Sequence, residues 1–165
     1  HSMNILSKIK SNYKYFGFDY SKCAINLASD YNSSNRFYFN GDVNNIPIAS
    51  DSIDVIIDFL SPYSESEVKR VLKKGGIFIK IAPSSNYLLE LREASGLGKY
   101  QKQQEIIDNL GKYFKDIVTE NYRRTFKIEK DDIENLIGMT PLKLKTNNLK
   151  IEQITIDLNV YKMAK

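Results

Sequence analysis

Short apolar runs alternate with segments of helical periodicity along the first half of the chain. The β-prone runs lie at residues 14–18, 36–40 and 53–59, and the last is almost continuously apolar. Such a run is typical of a strand that is covered on both faces. Between the first two runs, Ser21 is placed to cap a helix, because apolar residues follow it at helical spacing.

The second half of the chain continues this alternation. Ser64 and Glu67 have the spacing of a capping box, which predicts a helix over 65–73. Because helices separate the strands, the order predicts βαβ units and an α/β fold with a mostly parallel sheet flanked by helices. The remaining predicted elements are a strand over 77–81, a helix over 101–117, a strand over 118–128, a helix over 131–137 and a strand over 154–160.

The residues that follow each predicted strand are the candidates for a binding site, because ligands of such sheets bind at the carboxyl ends of the strands. An acidic residue there can bind a ribose, since two vicinal hydroxyls can each donate to one carboxylate. Asp19 suits that role, and it equally suits a bond to the following turn or helix N-terminus. Asp42 follows the next strand, where its carboxylate can accept from an adenine amine while the Val43 amide donates to a ring nitrogen.

Composition narrows the class of protein. The chain has 165 residues, 42% of them apolar, and its 24 basic and 20 acidic side chains give a net charge of +4. This length fits one domain over residues 3–165, since His1 and Ser2 before Met3 are typical of a tag remnant. No apolar run approaches the ~20 residues that cross a bilayer, so we expect no membrane partner, and the single cysteine fits a cytoplasmic protein.

The scarcity of cysteine and histidine disfavours disulfides, zinc sites and histidine-based catalysis. One cysteine, Cys23, cannot form an internal disulfide or a four-thiolate zinc site. With His1 assigned to the tag, histidine-based catalysis and histidine-ligated metals are disfavoured. The mild positive charge permits an anionic partner such as nucleic acid without requiring one.

Four motifs in the first 80 residues resemble those of class I S-adenosylmethionine-dependent methyltransferases. They are Phe-Gly-Phe-Asp-Tyr-Ser-Lys (16–22), Gly-Asp-Val (41–43), Asp-Ser-Ile-Asp-Val-Ile-Ile (51–57) and Glu-Val-Lys-Arg-Val-Leu-Lys-Lys-Gly-Gly-Ile-Phe-Ile (67–79). Three more are similar to those of the bacterial 23S rRNA (guanine-N1)-methyltransferases and extend the likeness over nearly the whole chain. These are Phe-Leu-Ser-Pro (59–62), Ile-Ala-Pro-Ser-Ser-Asn-Tyr-Leu-Leu-Glu-Leu-Arg (81–92) and Gly-Met-Thr-Pro (138–141).

The resemblance implies a Rossmann-like fold with an antiparallel last strand, S-adenosylmethionine as cofactor, and methyl transfer to guanine N1 of 23S rRNA by the full-length form. A duplex hides guanine N1, so the RNA partner is expected to present a single-stranded loop or a flipped guanine. Seven residues are expected to contact the cofactor: Asp19, Tyr20, Asp42, Val43, Phe59, Leu60 and Ser61.

Other residues are assigned to the guanine. The resemblance implies that Pro62, Pro83 and Tyr87 contact it, and that Thr140 and Pro141 either shape the floor of its pocket or form a plain turn. N1 must also lose its proton during the transfer. Asp58 is the nearest carboxylate at a strand end and the candidate for assisting that loss, although it can equally cap a turn or point into solvent.

Two features of the resembled enzymes have no counterpart in this sequence. The glycine-rich first motif and the N-terminal four-cysteine zinc module are both missing, which suggests the carboxyl-terminal part of a longer enzyme. The strand missing with the first motif is central in this fold. Either the two flanking strands pair directly, or a second copy fills the gap, or residues 3–11 are recruited. The first two are favoured, because Ile5 and Ile9 suit a short helix, and exposed strand edges would then promote a homodimer.

Two other functions fit parts of the pattern. A truncated methyltransferase fold can serve as a non-catalytic binding or assembly module. A ribose-binding aspartate also fits a nucleotide-dependent oxidoreductase, but the absent Gly-x-Gly-x-x-Gly and the Gly-Asp-Val at 41–43 argue against that class.

Overall fold

The computed structural model describes residues 2–140, 142, 144 and 150–165. The chain divides into two compact units, residues 1–49 and 50–165. The elements of the first unit are α1 (Ser2–Ile9), β1 (Tyr15–Asp19), α2 (Lys22–Ser29) and β2 (Arg36–Asn40). Those of the second are β3 (Ile53–Phe59), α3 (Glu65–Val71), β4 (Leu72–Pro83), α4 (Leu89–Ala94), α5 (Gln103–Gly111), β5 (Lys115–Lys127), α6 (Lys130–Gly138) and β6 (Gln153–Ala164).

The first unit is built on a two-stranded parallel ladder. β1 and β2 pair from Tyr15 opposite Arg36 to Asp19 opposite Asn40. Because the strands are in register, two pairs of phenylalanines stack across them, with ring centroids 5.5 and 5.7 Å apart. The predicted helix cap is confirmed, since the Ala24 amide donates to Ser21 Oγ at the start of α2.

The second unit contains a four-stranded sheet in the order β3-β4-β6-β5. β3 and β4 are parallel, and β6 is antiparallel to both β4 and β5. β6 is therefore the one strand of this sheet that runs against the others, which confirms the α/β fold with a mostly parallel sheet and an antiparallel last strand.

The capping box expected at α3 is not formed. Ser64 is the N-cap, but its side chain makes no capping bond and lies 3.1 Å from Ser66 Oγ. The carboxylate of Glu67 instead accepts two hydrogen bonds, each 2.7 Å, from the guanidinium of Arg70. A bidentate ion pair thus takes the acceptor that the capping box needs.

The prediction of one continuous helix over 101–117 is wrong. α5 ends at Gly111, and the chain enters β5 at Lys115. Leu110 and Phe114 nevertheless share one apolar cluster, and the Phe114 amide still donates to the Leu110 carbonyl. A tight turn therefore satisfies the same apolar spacing that a continuous helix would satisfy.

Two apolar clusters stabilise the second unit. The first joins α3, α5 and the centre of the sheet through Val68, Leu72, Phe78, Ala82, Leu110, Phe114, Tyr161 and Met163. The second joins α4, α6 and the start of β6 through Leu88, Leu91, Ile133, Ile137, Leu142 and Ile154. β6 is the strand that contributes to both. No described helix is long and apolar enough to cross a membrane.

β1 and β3, the two strands expected to flank the missing central strand, belong to two different sheets. The prediction that they pair directly is therefore wrong. Residues 3–9 are helical in α1, as the spacing of Ile5 and Ile9 indicates. Among the described strands, β3 has β4 as its partner on one side and none on the other. Val55, Ile57 and Phe59 share one face of β3 and are 48%, 49% and 58% exposed.

Candidate functional site

The two carboxylates singled out from the sequence lie at the same edge of the first unit. Asp19 is the last residue of β1, and Asp42 comes two residues after the end of β2. The two strands are parallel neighbours, so both carboxylates follow the carboxyl ends of the ladder. Asn40 holds the intervening backbone in place, since its Nδ2 donates to the carbonyls of Asp19 and Tyr20 at 2.9 and 2.8 Å.

Each carboxylate already makes a local turn bond through one oxygen. Asp19 Oδ1 accepts from the Ser21 amide at 2.8 Å, and Asp42 Oδ1 accepts from the amide and the side chain of Asn44. Within the described part of the chain, the second oxygen of each receives no hydrogen bond. Both side chains are exposed, so an oxygen of each remains open to the hydroxyl or amine of a nucleoside.

The residues next to these carboxylates are also accessible. Tyr20 is 82% exposed, and Val43 is half-buried. Gly41 packs against the ring of Phe18 so closely that an added Cβ would lie 3.1 Å from it. The absent side chain therefore lets the backbone before Asp42 approach β1.

A buried ion pair lies under the carboxyl end of β3 in the second unit. Lys80 Nζ is 2.7 Å from Asp58 Oδ1, and the two side chains are 6% and 8% exposed. Lys80 also donates to the Ser61 carbonyl at 2.6 Å, and Ser61 donates to Asp58 Oδ1 from its amide and its hydroxyl. Charge and hydrogen bonds thus fix the turn after β3 to the middle of the sheet.

The turn itself has a strained residue. Leu60 has φ of +55°, a left-handed conformation that costs a side chain roughly 1–2 kcal/mol. Its amide donates to the Ile81 carbonyl at 3.0 Å, which continues the β3–β4 ladder by one bond. The conformation persists because this bond and the contacts of Ser61 hold both sides of the residue.

A cavity of about 420 Å³ opens over this turn, at the carboxyl ends of β3 and β4. This lies within the range of roughly 300–1,000 Å³ typical of small-molecule sites. Four residues chosen from the sequence line it: Leu60, Ser61, Pro62 and Pro83. Phe59 and Tyr87 are not among its lining residues, and Tyr87 packs instead against the second apolar cluster.

Beside these candidates, the cavity is lined by two tyrosines, two glutamates and a buried lysine, which are Tyr63, Glu65, Lys80, Tyr100 and Glu105, and by Ala82, Lys102, Ile106 and Asn109. The two tyrosines give the cavity aromatic walls, and the two glutamates give it carboxylates. Lys80 had a signal in the sequence, because it is a single charge within the apolar run of residues 77–81. In the parallel ladder it lies directly opposite Asp58. Tyr63, Glu65, Tyr100 and Glu105 lie in loops and helix starts, where periodicity does not indicate the direction of a side chain.

Burial and neighbouring carboxylates control the ionisation of Tyr63. Burial, followed by the charges of Glu65 and Asp58, raises the pKa of Tyr63 to about 12. The Lys80 ammonium lies 4.8 Å from the centre of the same ring. Tyr63 is therefore a neutral hydrogen-bond donor at physiological pH.

The loop after β4 is held by a buried carboxylate. Asp157 is 3% exposed, and its Oδ2 accepts from the amide and the side chain of Asn86, both at 2.9 Å. Its Oδ1 accepts from Asn121 Nδ2 at 2.9 Å. Burial raises the pKa of Asp157, but these bonds and the charge of Arg123 outweigh burial and lower it overall. The loop is also tied on its other side, since the Tyr100 amide donates to the Ser85 carbonyl.

The last two candidates lie at the end of α6. Thr140 Oγ1 donates to the Ile137 carbonyl and accepts from the Leu142 amide, which is the bonding of a turn after a helix. Thr140 is not a cavity-lining residue. Pro141 lies outside the described residues.

Comparison with known proteins places this geometry in a family. Residues 1–132 match the sequence profile of a family described as a methyltransferase domain. Among solved structures, an S-adenosylmethionine-dependent methyltransferase of Methanosarcina mazei superposes with a TM-score of 0.60 at 17% identity, covering 99% of this chain and 86% of that one. At that identity the likeness shows the Rossmann-like fold.

Curated relatives are similar over a shorter part. A 23S rRNA (guanine(748)-N(1))-methyltransferase of Streptomyces fradiae is 24% identical over 98 residues, which are 58% of this chain and 35% of that protein. A Bacillus subtilis protein named as a candidate 23S rRNA (guanine-N(1)-)-methyltransferase is 35% identical over 88 residues, 47% of this chain and 31% of that protein. The chain spans about a third of the length of the curated relatives it matches.

Proposed function

Because the chain belongs to the methyltransferase domain family and its cofactor is S-adenosylmethionine, we propose that it transfers a methyl group to N1 of a guanine in 23S rRNA. The bound cofactor supplies a methyl group activated on a sulfonium. The observation that carries the proposal is the cavity at the carboxyl ends of β3 and β4, where Leu60, Ser61, Pro62 and Pro83 meet. The names of the curated relatives supply the target.

In this proposal the nucleoside end of the cofactor binds to the first unit. The open carboxylate oxygens of Asp19 and Asp42 fit the hydroxyls of a ribose and the amine of adenine, respectively. Tyr20 and Val43 lie beside them. In the second unit, Phe59, Leu60 and Ser61 stay predictions from the resemblance as contacts of the cofactor.

The cavity suits a purine base. Tyr63 and Tyr100 contribute aromatic rings to its lining, and Pro62 and Pro83 add rigid apolar walls. A guanine that enters must be single-stranded or flipped out of a helix, because N1 is paired inside a duplex. Tyr87, in the loop that Asp157 holds, stays a prediction from the resemblance as a contact of the guanine.

The proton on guanine N1 needs an acceptor, and the structure offers two kinds of carboxylate. Asp58 remains the candidate from the sequence, but its Oδ1 already accepts from Lys80 and Ser61, and the residue does not line the cavity. Glu65 does line it, and no described side chain or backbone donor binds its carboxylate. Because its carboxylate reaches the cavity, Glu65 is the alternative acceptor.

Two measurements test the proposal. Calorimetric titration with S-adenosylmethionine and S-adenosylhomocysteine should release heat with a single site. Transfer of labelled methyl to 23S rRNA fragments should then produce a stop in reverse transcription at one guanine, because N1 methylation blocks the pairing edge. Cofactor binding without transfer to any RNA would leave the chain as a binding module and refute the proposal.

Comparing Asp58→Asn with Glu65→Gln identifies the acceptor. The variant that removes the acceptor should lose most of the methylation rate at saturating RNA and cofactor, while the other variant should keep it.

Self-association through β3 completes the proposal. The outer edge of this strand has no partner among the described strands, and Val55, Ile57 and Phe59 are about half exposed beside it. Open strand edges favour pairing with another chain, and we assign this edge to a second copy of the protein.

A further inference from the structure

The β5–β6 ladder continues past the edge of the sheet where the cavity opens. β4 pairs with β6 up to Pro83 opposite Leu158, where β4 ends. β5 and β6 pair for five more residues, from Arg123 opposite Asp157 to Lys127 opposite Gln153. Residues 123–127 and 153–157, here named the distal ribbon, therefore project beyond the carboxyl end of β4.

Aromatic and basic side chains interleave along the outer strand of the distal ribbon. Tyr122 and Phe126 are 49% and 42% exposed, and they lie on one face of β5 together with Arg124. The Arg124 guanidinium lies 5.2 Å from the centre of the Phe126 ring. Arg123 and Lys127 are also exposed, on the other face.

The charge of the distal ribbon has one sign. Residues 123–127 contain three basic side chains and no acidic one, although Glu120 precedes them on β5 and the Glu90 carboxylate accepts from Thr155. The single acidic residue of 153–157 is Asp157, which is buried and bonded to Asn86 and Asn121. The accessible charges of the distal ribbon are therefore positive, which matches a polyanion.

A direct connection joins the distal ribbon to the cavity. Asp157 accepts from Asn121 of β5 through one oxygen and from Asn86 of the loop after β4 through the other. That loop begins at Pro83, which lines the cavity. Asn121, Arg123 and Lys127 share the face of the sheet that carries Lys80, whereas Tyr122, Arg124 and Phe126 lie on the opposite face. RNA bound along Tyr122 and Phe126 would therefore pass around the outer edge of β5 to reach the cavity.

We infer that the distal ribbon binds the single-stranded RNA that flanks the target guanine. This rests on the proposed function, because it assigns a surface to the same RNA. Bases stack on exposed aromatic rings and on arginine planes, while neighbouring cations neutralise phosphates. An acidic protein would use the cations but would gain nothing from interleaved aromatic faces.

The test measures binding of a labelled single-stranded RNA by fluorescence anisotropy over a range of salt concentrations. Arg124→Gln/Lys127→Gln should make the slope of log K against log salt shallower by about 1.4, since each phosphate contact on a single strand contributes about 0.7. The matched control is Lys74→Gln/Lys162→Gln, which removes two exposed charges near the opposite end of the same sheet. The control variant should keep most of the wild-type slope of log K against log salt.

A second pair of variants tests stacking. Phe126→Ala should weaken RNA binding at least about fivefold. Val118→Ala truncates an apolar side chain, 56% exposed, at the far end of β5 and should leave the affinity unchanged. Thermal melting of each variant confirms that it is folded. Arg124→Lys keeps the positive charge but removes the planar guanidinium, so it distinguishes stacking from charge.

Three outcomes would overturn the inference: no RNA binding by the wild type at low salt, equal losses in the distal ribbon and control variants, or equal affinity for poly-glutamate of the same charge. Titration of each variant with S-adenosylhomocysteine runs in parallel and involves no RNA. A wild type that binds RNA but not this ligand refutes the proposed function alone. A wild type that binds the ligand while the ribbon variants keep full RNA affinity refutes the ribbon alone.

Discussion

Lys80 and Asp58 face each other across two adjacent parallel strands, with 2.7 Å between Nζ and Oδ1, and both side chains are buried. The pair also holds Ser61, so one ionic contact determines the position of the turn that lines the cavity. Removing one partner of a buried pair leaves an unpaired charge and costs about 3–5 kcal/mol. Lys80→Met should lower the free energy of unfolding by about that amount in urea titrations.

The exposed pair Lys73–Asp54, with the same 2.7 Å separation, is the matched control for Lys80→Met. Its side chains are 45% and 70% exposed, so Lys73→Met should cost no more than about 1 kcal/mol. Asp58→Asn combined with Lys80→Met should cost less than the sum of the two single changes. Equal costs for Lys80→Met and Lys73→Met would contradict the stabilising role of the buried pair.

Tyr63 should lose its proton only at strongly alkaline pH. Burial, Glu65 and Asp58 raise the pKa of Tyr63 from 10.0 to about 12, so the ultraviolet difference between wild type and Tyr63→Phe should show a late tyrosinate transition. The unfolded chain ionises Tyr63 near 10, so this residue's contribution to stability is full below that pH and is lost as the pH rises towards 12. Glu65→Gln should move the transition to lower pH, and a Tyr63 transition near 10 in the native protein would refute the assigned environment.

Asp157 should make the protein more sensitive to acid. Its pKa is lowered in the folded state from the ordinary 3.8, so the stability it contributes is present above that value. This contribution is lost as the pH falls below 3.8 and through the folded pKa. Asp157→Asn should therefore flatten the acid side of the stability profile in urea titrations at a series of pH values. Exchange of the Asn86 amide with solvent should also become faster, since that amide donates to the Asp157 carboxylate. If the loss of stability at acid pH were the same in Asp157→Asn as in the wild type, Asp157 would not be its source.

Asp19 should dominate binding of the cofactor's ribose. Asp19→Ala should weaken the affinity for S-adenosylhomocysteine by about 2 kcal/mol, close to thirtyfold, because charge-assisted hydrogen bonds are lost. Asp19→Asn keeps an oxygen for the Ser21 amide, so it separates loss of charge from loss of the turn. Asp30→Ala, at the end of α2 in the same unit, is the surface control. Unchanged affinity in Asp19→Ala would remove this residue from the site.

A charge placed on the open edge of the sheet should prevent self-association. Light scattering of the wild type should show dimers at high protein concentration, and Ile57→Lys should shift them to monomers. Val118→Lys changes an equally exposed residue on the opposite edge strand and should leave the dimer intact. A wild type that is monomeric over the whole concentration range would contradict the role of β3.

Strand positions were predictable because apolar runs bounded by polar residues report on burial. β2 and β3 lie at the predicted residues, and β6 is the antiparallel strand that the resemblance implies. The error over 101–117 arose because Leu110 and Phe114 meet in one cluster across a turn, and helical spacing alone does not distinguish that arrangement from a continuous helix.

The candidate site was predictable at the ends of strands and not beyond them. Leu60, Ser61 and Pro62 line the cavity because a parallel sheet places its strand ends at one edge. Tyr100 and Glu105 reach the same cavity from a loop and a helix start distant in sequence, and such placement depends on tertiary packing. Lys80 needed the pairing of β3 with β4 before its partner could be recognised.

The position of β6 determines when the second unit can fold during translation. β6 lies between β4 and β5, and it supplies Tyr161 and Met163 to one apolar cluster and Ile154 to the other. During translation, β3, β4 and β5 are therefore synthesised before β6, the strand that joins β4 to β5. Until residues 153–164 emerge, β5 has no partner among the described strands, so its backbone donors and acceptors stay unpaired.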